Sequence, residues 1–216
     1  MKTKILAVVI GTLFTTAIFA QSKTTFGIRA GVNFQNLNGE DATGDKLDNK
    51  LKTGFHAGVN AEIPVGIDFY VQPGVLFSLK GAKFDESDDK INLSYVEVPV
   101  NFIYKPALGS GRLVMGFGPY AAFAVGGKYK PEDGDDIDVE FEKEITPAQA
   151  ISGVYYAKRF DAGANLLFGY EWANNFSVQL NAGLGLVNIN PDIEGVDTDA
   201  KTKNTGFGLS IGYRFK

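Results

Sequence analysis

The sequence predicts an all-β protein: an eight-stranded antiparallel transmembrane β-barrel of the up-and-down type, preceded by a cleavable signal peptide. Three observations predict this fold. Eight segments alternate apolar residues with small or polar ones at a period of two. The connections between these segments are long and short in turn. The N-terminus has the layout of an export signal.

The N-terminus predicts a signal peptide over residues 1–20. Lys2 and Lys4 precede an uncharged apolar or hydroxylic stretch, residues 5–19, and a small residue then leads into polar sequence. The apolar stretch is short for a membrane-spanning helix, which needs roughly 20 residues. We therefore expect cleavage and an exported barrel domain over residues 21–216. The alternative is an uncleaved membrane anchor.

The composition excludes several classes of function. The formal net charge is −4, whereas a nucleic-acid-binding protein needs a basic patch. The chain has no cysteine, so it has neither disulfides nor thiolate metal ligands. It has 26 glycines, about 12% of its residues against a usual ~7%, which favours tightly curved sheet. We expect no cofactor and no nucleic-acid partner.

Each alternating segment has one apolar face. In the first, Phe26 and Ile28 lie on the apolar side, whereas Gly27 and Arg29 lie on the other. A tilted strand needs roughly 9–11 residues to cross a bilayer, and each segment is near that length. The eight segments are 25–35, 53–63, 69–80, 95–104, 113–126, 160–170, 176–186 and 205–216.

The connections predict how the barrel is oriented. Outer-membrane barrels have short periplasmic turns and longer external loops, so both termini are expected in the periplasm and the long loops outside. The aromatic residues near the short turns should form the girdle at the periplasmic interface. The long connections are 36–52, 81–90, 129–158 and 188–204, the short ones are 64–67, 105–111 and 171–175, and the girdle residues are Phe69, Tyr104, Trp172, Tyr213 and Phe215.

A soluble lipocalin-like barrel is the alternative fold with eight antiparallel strands. In such a barrel the apolar positions would line the cavity. Here the second face consists mostly of glycine and polar side chains, which are too small and too polar for a folding core. We therefore expect the apolar faces to contact the lipid of the outer membrane.

Several segments together resemble a known family. They are "FGIRAGVNF" (26–34), "YVQPGVLFSLKG" (70–81), "LSYVEVPVNFIY" (93–104), "GFGPYAAFAVGG" (116–127), "GLVNI" (185–189) and "GFGLSIGYRF" (206–215). In this order they are similar to the small outer-membrane β-barrel proteins of Bacteroidetes, the PorT-like or "outer membrane protein beta-barrel domain" family. The resemblance implies an outer-membrane location and an eight-stranded barrel. It implies little about activity, although the eponymous member belongs to a protein secretion machinery.

The inward positions predict a polar network that fills the barrel. Eight strands enclose a lumen only wide enough for side chains, and buried charges must be paired. We expect Glu97 and Glu62 to meet Arg29 or Arg214, and Lys80 and Asp161 to form a pair nearer the loops. The predicted network consists of Arg29, Glu62, Lys80, Glu97, Asp161 and Arg214.

Two residues raise the question of catalysis. Ser210 lies in a Gly-x-Ser-x-Gly sequence, but a nucleophile elbow needs a strand-to-helix turn and a following histidine. Ser210 is instead predicted in the middle of a strand, so we interpret this match as chance. His56, the single histidine, faces inward near the loop end of its segment. It is the candidate residue of a lipid-modifying enzyme, but no spacing supplies its partners.

The third long loop contains alternating acidic residues. Asp136, Asp138, Glu140 and Glu142 alternate with apolar residues, so a hairpin could extend the barrel beyond the membrane. Such charge runs are usually solvated. The alternative is that these four carboxylates bind a divalent cation, because hard cations favour clustered oxygen ligands.

The sequence thus favours a non-enzymatic integral outer-membrane barrel that presents four long acidic loops for adhesion, envelope stabilisation or partner binding. We expect a monomer in outer-membrane lipid, with an envelope or secretion-system protein as a candidate partner. A small pore, or a transport-associated accessory barrel, is the second hypothesis. An enzyme using His56 is the third.

Overall fold

The computed structural model describes residues 23–41, 43–85, 87, 89–196, 198 and 200–215. The predicted signal peptide, residues 1–20, lies outside the described residues. Within the described part of the chain, no helix is both long enough and apolar enough to cross a membrane.

Eight long antiparallel strands form one closed barrel, as the alternation predicted. Each strand pairs with the next along the chain, and the eighth pairs with both the seventh and the first, which closes the sheet. The strands are β1 Thr25–Glu40, β2 Lys52–Gly66, β3 Phe69–Phe84, β4 Lys90–Tyr104, β5 Gly111–Lys130, β6 Phe160–Glu171, β7 Phe176–Gly185 and β8 Lys201–Phe215.

The outer face of the barrel is apolar. Large apolar side chains such as Phe26, Phe117 and Ile211 are 64%, 60% and 65% exposed. Exposure of such side chains is unfavourable in water but favourable in lipid. Aromatic pairs ring the rim that carries the short turns. Phe69 stacks on Tyr104 with ring centroids 4.6 Å apart. The apolar band and this girdle therefore match the predicted lipid-facing surface.

The polarity of the strands reverses toward the long-loop rim. On β4 the outward side chain changes from apolar at Val96 to polar at Asn92 and Lys90. The inward side chains Ile91 and Leu93 are 0% exposed. This part of the barrel thus has the apolar core of a soluble protein. The buried members of this apolar cluster are Leu37, Ala82, Ile91, Leu93, Tyr95, Tyr120, Ala122, Ala124, Val139, Ala157 and Ile189.

The strands are consequently longer than the alternation indicated. β1, β3 and β8 each take in residues that the sequence assigned to long connections. The reason is that the period of two continues while the polarity of the two faces is exchanged.

The long loops fold back over the mouth of the barrel. Ile137–Asp138 pairs with β5, so the acidic loop does begin as a short hairpin. Two parallel pairings then tie the loops together, one within the third loop and one between the third and the fourth. The remaining short elements are strands Asn49–Lys50, Ala107–Leu108, Glu140–Phe141, Glu144–Ile145, Tyr156–Ala157 and Asp192–Ile193 and helix Pro147–Ala150.

Candidate functional site: the barrel interior

Three charged side chains meet inside the barrel below the apolar cluster. We call Lys80, Glu97 and Asp161 the upper ion cluster. The ammonium of Lys80 lies 3.0 Å from a carboxylate oxygen of Glu97 and 3.1 Å from one of Asp161. The Tyr120 hydroxyl and the Asn204 amide also donate hydrogen bonds to Asp161, at 3.3 and 3.0 Å. These contacts offset the cost of burying the three charges.

Strand register explains why these residues meet. Ala122 of β5 lies directly beside Glu97 of β4 on one side and beside Asp161 of β6 on the other. Because Ala122 has only a methyl group, the two carboxylates can converge in front of it. Lys80 reaches them from the neighbouring strand β3, and its ammonium lies 4.2 Å from the centroid of the Tyr120 ring.

A second group of charges lies near the short-turn rim. We call Glu62, Lys105, Glu171 and Arg214 the lower ion cluster. The Lys105 ammonium lies 3.0 Å from Glu62 and 2.8 Å from Glu171. The Arg214 guanidinium lies 2.9 Å from Glu62 and 3.6 Å from Glu171. Two cations and two carboxylates thus form a neutral plug.

Sequence reasoning missed two members of the lower ion cluster. Lys105 and Glu171 begin connections that the sequence analysis treated as turns outside the barrel. Each directly follows an outward-facing aromatic residue, Tyr104 or Tyr170, so the period of two already pointed both side chains inward. Extending the alternation by one residue at these strand ends would have found them.

The expected pairing of Glu97 with an arginine is corrected by the structure. Glu97 meets Lys80, because Lys80 extends from the strand next to it, whereas Arg29 and Arg214 lie on β1 and β8 across the barrel. Among the described residues Arg29 forms no ion pair. Its polar contact is with the side-chain oxygen of Asn181, at 3.5 Å.

Arg29 borders a small polar cavity between the two ion clusters. The cavity has a volume of about 70 Å³, and Glu97, Asn165 and Asn181 also line it. A polar cavity needs roughly 10–15 Å³ to hold one water molecule. The space therefore suits a few water molecules that satisfy the guanidinium of Arg29, and it is too small for a permeating solute.

His56 lies in a hydrogen-bonded chain that the sequence did not reveal. Its Nε2 is 2.7 Å from the Ser210 hydroxyl, and its Nδ1 is 2.5 Å from the Asn33 side-chain oxygen. The Asn33 amide donates to Ser78 and to two backbone carbonyls, which leaves its oxygen facing the histidine. His56 therefore donates from Nδ1 and accepts the Ser210 proton at Nε2.

Register again brings these residues together. Gly31 of β1 pairs with His56 of β2 on one side and with Ser210 of β8 on the other. A Cβ atom on Gly31 would lie 2.8 Å from the His56 ring and 2.8 Å from the Ser210 backbone. The absence of a side chain here allows the ring to reach across β1.

The connectivity Ser210–His56–Asn33 is that of a nucleophilic triad, but its surroundings do not suit catalysis. Ser210 is 1% exposed, and its hydroxyl also accepts a hydrogen bond from Asn181. Strand β8 is paired on both sides at this position, so the backbone N–H groups are committed to the sheet and offer no oxyanion hole. The chain of hydrogen bonds can instead fix the register of β1, β2 and β8.

Replacing Ser210 with alanine is expected to lower the free energy of unfolding by about 1–3 kcal/mol, since it strands buried polar groups. A fluorophosphonate probe should leave Ser210 of the folded wild type unlabelled. Unfolding in denaturant and mass spectrometry of the probe-treated protein measure the two effects. The control variant is Ser177→Ala, which removes a buried serine hydroxyl that does not belong to the hydrogen-bonded chain of His56. Stoichiometric labelling of Ser210 that disappears in His56→Gln would contradict a structural role.

The four acidic residues considered for cation binding do not converge. Asp136 pairs with Lys130 at 2.8 Å, and this hydrogen bond holds the pKa of its carboxyl below the usual value. Asp138 lies opposite Lys128 on the neighbouring strand. Glu140 lies opposite Tyr156 in a short parallel strand pairing. Glu142 is exposed. Within the described ranges, no three His, Cys, Asp or Glu side chains are placed to hold a metal ion.

A closed antiparallel barrel with an apolar outer face and a polar, filled interior is the architecture of an integral outer-membrane protein. The model of the family "Outer membrane protein beta-barrel domain" matches residues 19–190. The chain belongs to this family, which places it in the outer membrane.

Several solved structures are similar in fold to this chain. Ail, the attachment invasion locus protein of Yersinia pestis, is 15% identical over 90% of this chain and 100% of that chain, with a TM-score of 0.43. Neisserial surface protein A is 15% identical over 90% and 99%, with a TM-score of 0.44. OprG from Pseudomonas aeruginosa is 13% identical over 88% and 95%, with a TM-score of 0.49. No curated protein sequence gives a significant match to the chain.

Proposed function

We propose that this protein is a closed outer-membrane barrel whose four long loops form a rigid acidic platform for a positively charged protein partner. The observation that carries the proposal is the folded state of the third and fourth loops. Val139, Ala157 and Ile189 come from the third and fourth loops and are buried in the apolar cluster with barrel residues. Loops that are ordered in this way bind without paying a large ordering entropy.

The charge of the loops supports a basic partner. The four long connections predicted from the sequence hold 20 of the 25 acidic residues but only ten of the 21 basic residues. A surface with one predominant sign attracts partners of the opposite sign and repels others.

We assign the long loops to the cell exterior and both termini to the periplasm, because this is the usual asymmetry of such barrels. The proposal includes a signal peptide over residues 1–20, a monomeric barrel, and a place in the PorT-like group of Bacteroidetes. The last point rests on the strand motifs, which follow one another in the expected order. A link to a secretion system would supply one kind of envelope partner.

The interior argues against the alternative of a pore. From the short-turn rim upward, the lower ion cluster, the hydrogen-bonded chain of His56, the upper ion cluster and the apolar cluster occupy the lumen in turn. The cavity between them is about 70 Å³. Hydrated ions have no continuous aqueous path through such a filling, unlike the open channels of larger barrels.

A photoreactive residue at position 151 is expected to crosslink a discrete basic protein in intact outer membranes. Ile151 is 87% exposed in the third long loop, and Ile67, 90% exposed in a short turn, is the matched control. The adduct should decrease when Asp133, Asp135 and Glu142 are replaced by Asn, Asn and Gln, and it should decrease in high salt. The purified barrel should give no stable conductance in a planar bilayer.

Equal adduct yields at positions 151 and 67 would refute the acidic platform. An adduct yield at position 151 that is unchanged when the acidic residues are replaced would refute it as well. A steady ohmic conductance from the monomer would instead support the pore. Heat-dependent electrophoretic mobility serves as the check that every variant is folded.

A further inference from the structure

The inward-facing charges do not balance in the half of the barrel nearer the long loops. The lower ion cluster is neutral, because two cations face two carboxylates. The upper ion cluster has one cation and two carboxylates, and Arg29 and Lys52 add two further cations to this part of the lumen. His56 accepts a hydrogen bond at Nε2 and is therefore neutral. Among the described residues, three inward-facing cations thus face two carboxylates there.

Lys52 is a buried cation that meets no carboxylate in the described part of the chain. It lies on the same face of β2 as His56, so its side chain points into the lumen. It is 7% exposed, and its ammonium donates to the backbone oxygen of Lys80 at 3.4 Å. A carbonyl dipole satisfies one N–H group but leaves the charge uncompensated, and buried charges need a counter-charge.

Arg29 is the second cation without an ion pair, and it borders the cavity of about 70 Å³. Its guanidinium has five N–H groups, of which one contacts Asn181, at 3.5 Å. Glu97 also lines the cavity, but its two oxygens already face Lys80 at 3.0 Å and Asn165 at 3.4 Å. Water in the cavity can satisfy the hydrogen bonds of Arg29, but it does not neutralise the charge.

Glycines make room for a ligand in this cavity. Gly206 lies between Gly183 of β7 and Gln35 of β1 in the sheet, and all three residues line the cavity. A Cβ atom on Gly206 would lie 2.6 Å from the amide of Gln35, so this amide lies over the glycine. Within the described residues the Gln35 amide has no hydrogen-bond partner, so its N–H groups can donate to a ligand beside Arg29.

These features select a small anion with a single negative charge. One negative charge makes the upper half neutral, whereas a doubly charged anion would reverse the imbalance. The guanidinium of Arg29 and the amide of Gln35 supply N–H donors, which an anion accepts. The cavity has room for a monatomic anion and a few water molecules, since one water needs roughly 10–15 Å³. Such water can also donate to the side-chain oxygen of Asn204, which lines the cavity and is buried without a partner among the described residues.

We propose that the barrel interior binds one monovalent inorganic anion of the halide type, such as chloride, between Arg29 and Gln35. The apolar cluster lies above the site, with Ile91 and Leu93 0% exposed, and the lower ion cluster lies below it. The anion is therefore enclosed when the barrel closes, and it stabilises the folded state without crossing the barrel. This site is independent of the acidic platform that the loops form.

The first test locates the anion in the wild-type protein. The full chain is refolded and crystallised with bromide in place of chloride, and anomalous diffraction is measured above the bromine absorption edge. One bromide peak is expected inside the lumen, in contact with the guanidinium of Arg29. Bromide confined to the protein surface, or an anomalous map without a peak in the cavity, would overturn the proposal.

The second test measures how chloride affects unfolding in urea. Chloride is exchanged for gluconate, which is too large for the cavity, at constant ionic strength so that screening stays equal. Above the dissociation constant, the unfolding equilibrium constant of wild type should fall about tenfold for each tenfold rise in chloride. Arg29→Gln should abolish this dependence. Arg112→Gln is the control that should keep it, because Arg112 pairs with Asp68 at the short-turn rim.

A third variant tests the charge imbalance itself. Lys52→Met leaves two cations and two carboxylates in the upper half, so the chloride concentration for half-maximal stabilisation should rise on the order of tenfold. This variant and the bromide crystals decide the question if Arg29→Gln does not fold. Equal chloride dependence in wild type and Arg29→Gln would show a general salt effect and overturn the proposal. An unchanged dependence in Lys52→Met would overturn it as well, because the excess charge would then not hold the anion.

Discussion

Replacing Lys80 with methionine is expected to lower the free energy of unfolding by roughly 3–5 kcal/mol, because it leaves two carboxylates buried without their cation. Glu97 is 8% exposed and Asp161 is 0% exposed, so both carboxylates are shielded from bulk solvent. Methionine keeps most of the volume of the lysine stem, which separates the loss of charge from the loss of packing. Denaturant unfolding in lipid vesicles, followed by the fluorescence of the single tryptophan, Trp172, measures the effect.

Two further variants make this prediction specific to the buried charge. Lys130→Met breaks the ion pair between Lys130 and Asp136, which are 45% and 36% exposed in their side chains. This change should lower the free energy of unfolding by less than about 1 kcal/mol. Combining Lys80→Met with Glu97→Gln and Asp161→Asn should recover most of the loss, since no charge then remains in the upper ion cluster. If the triple variant is less stable than Lys80→Met, stability there depends on packing or hydrogen bonds and not on charge balance.

The fold could be predicted from the sequence because lipid imposes a simple pattern. Every spanning strand must alternate, and a barrel must close. The pattern was misinterpreted near the long-loop rim, where the strands extend beyond the lipid. Ile91 and Leu93 still alternate with Asn92, but the apolar residues there face inward, so a search for outward apolar residues began this segment only at residue 95. The exchange of polarity along one strand is the signal that would have located the membrane edge.

The contacts inside the barrel could be predicted only in part, because they depend on strand register. The need to pair buried charges predicted that Glu62 meets Arg29 or Arg214, and only the register shows that its partner is Arg214. Ser210 and His56 are 154 residues apart in the chain, and only the pairing of both strands with Gly31 shows that they are neighbours. A one-residue slip in either pairing would separate them.

The upper ion cluster and the hydrogen-bonded chain of His56 share one local arrangement. A small residue on the middle strand lies between two polar residues on the flanking strands: Ala122 between Glu97 and Asp161, and Gly31 between His56 and Ser210. In a narrow lumen, the small size of the middle residue gives the two polar groups room to approach. The abundance of glycine on the inward face therefore has a second cause besides curvature.

Replacing Glu62 with glutamine is the change expected to have the largest effect near the short-turn rim. Glu62 is 3% exposed and contacts both Lys105 and Arg214. Without the Glu62 carboxylate, Glu171 is the one remaining counter-charge of the cluster for two buried cations. The free energy of unfolding should therefore fall by roughly 3–5 kcal/mol. The same vesicle-based unfolding experiment measures it, and Trp172 lies close to this rim.

Adding Arg214→Met to Glu62→Gln should restore part of the lost stability, because Lys105 and Glu171 then remain as one neutral pair at 2.8 Å. The coupling free energy from the double-mutant cycle should be roughly 0.5–3 kcal/mol. Arg112→Met is the control at the same rim, since Arg112 pairs with Asp68 in a half-exposed contact and reaches Lys105 only through its backbone carbonyl. Its coupling with Glu62→Gln should therefore be well below that of Arg214→Met. Equal coupling in the two cycles would show that Glu62 stabilises the barrel through the general charge of the rim and not through the plug that it forms with Lys105 and Arg214.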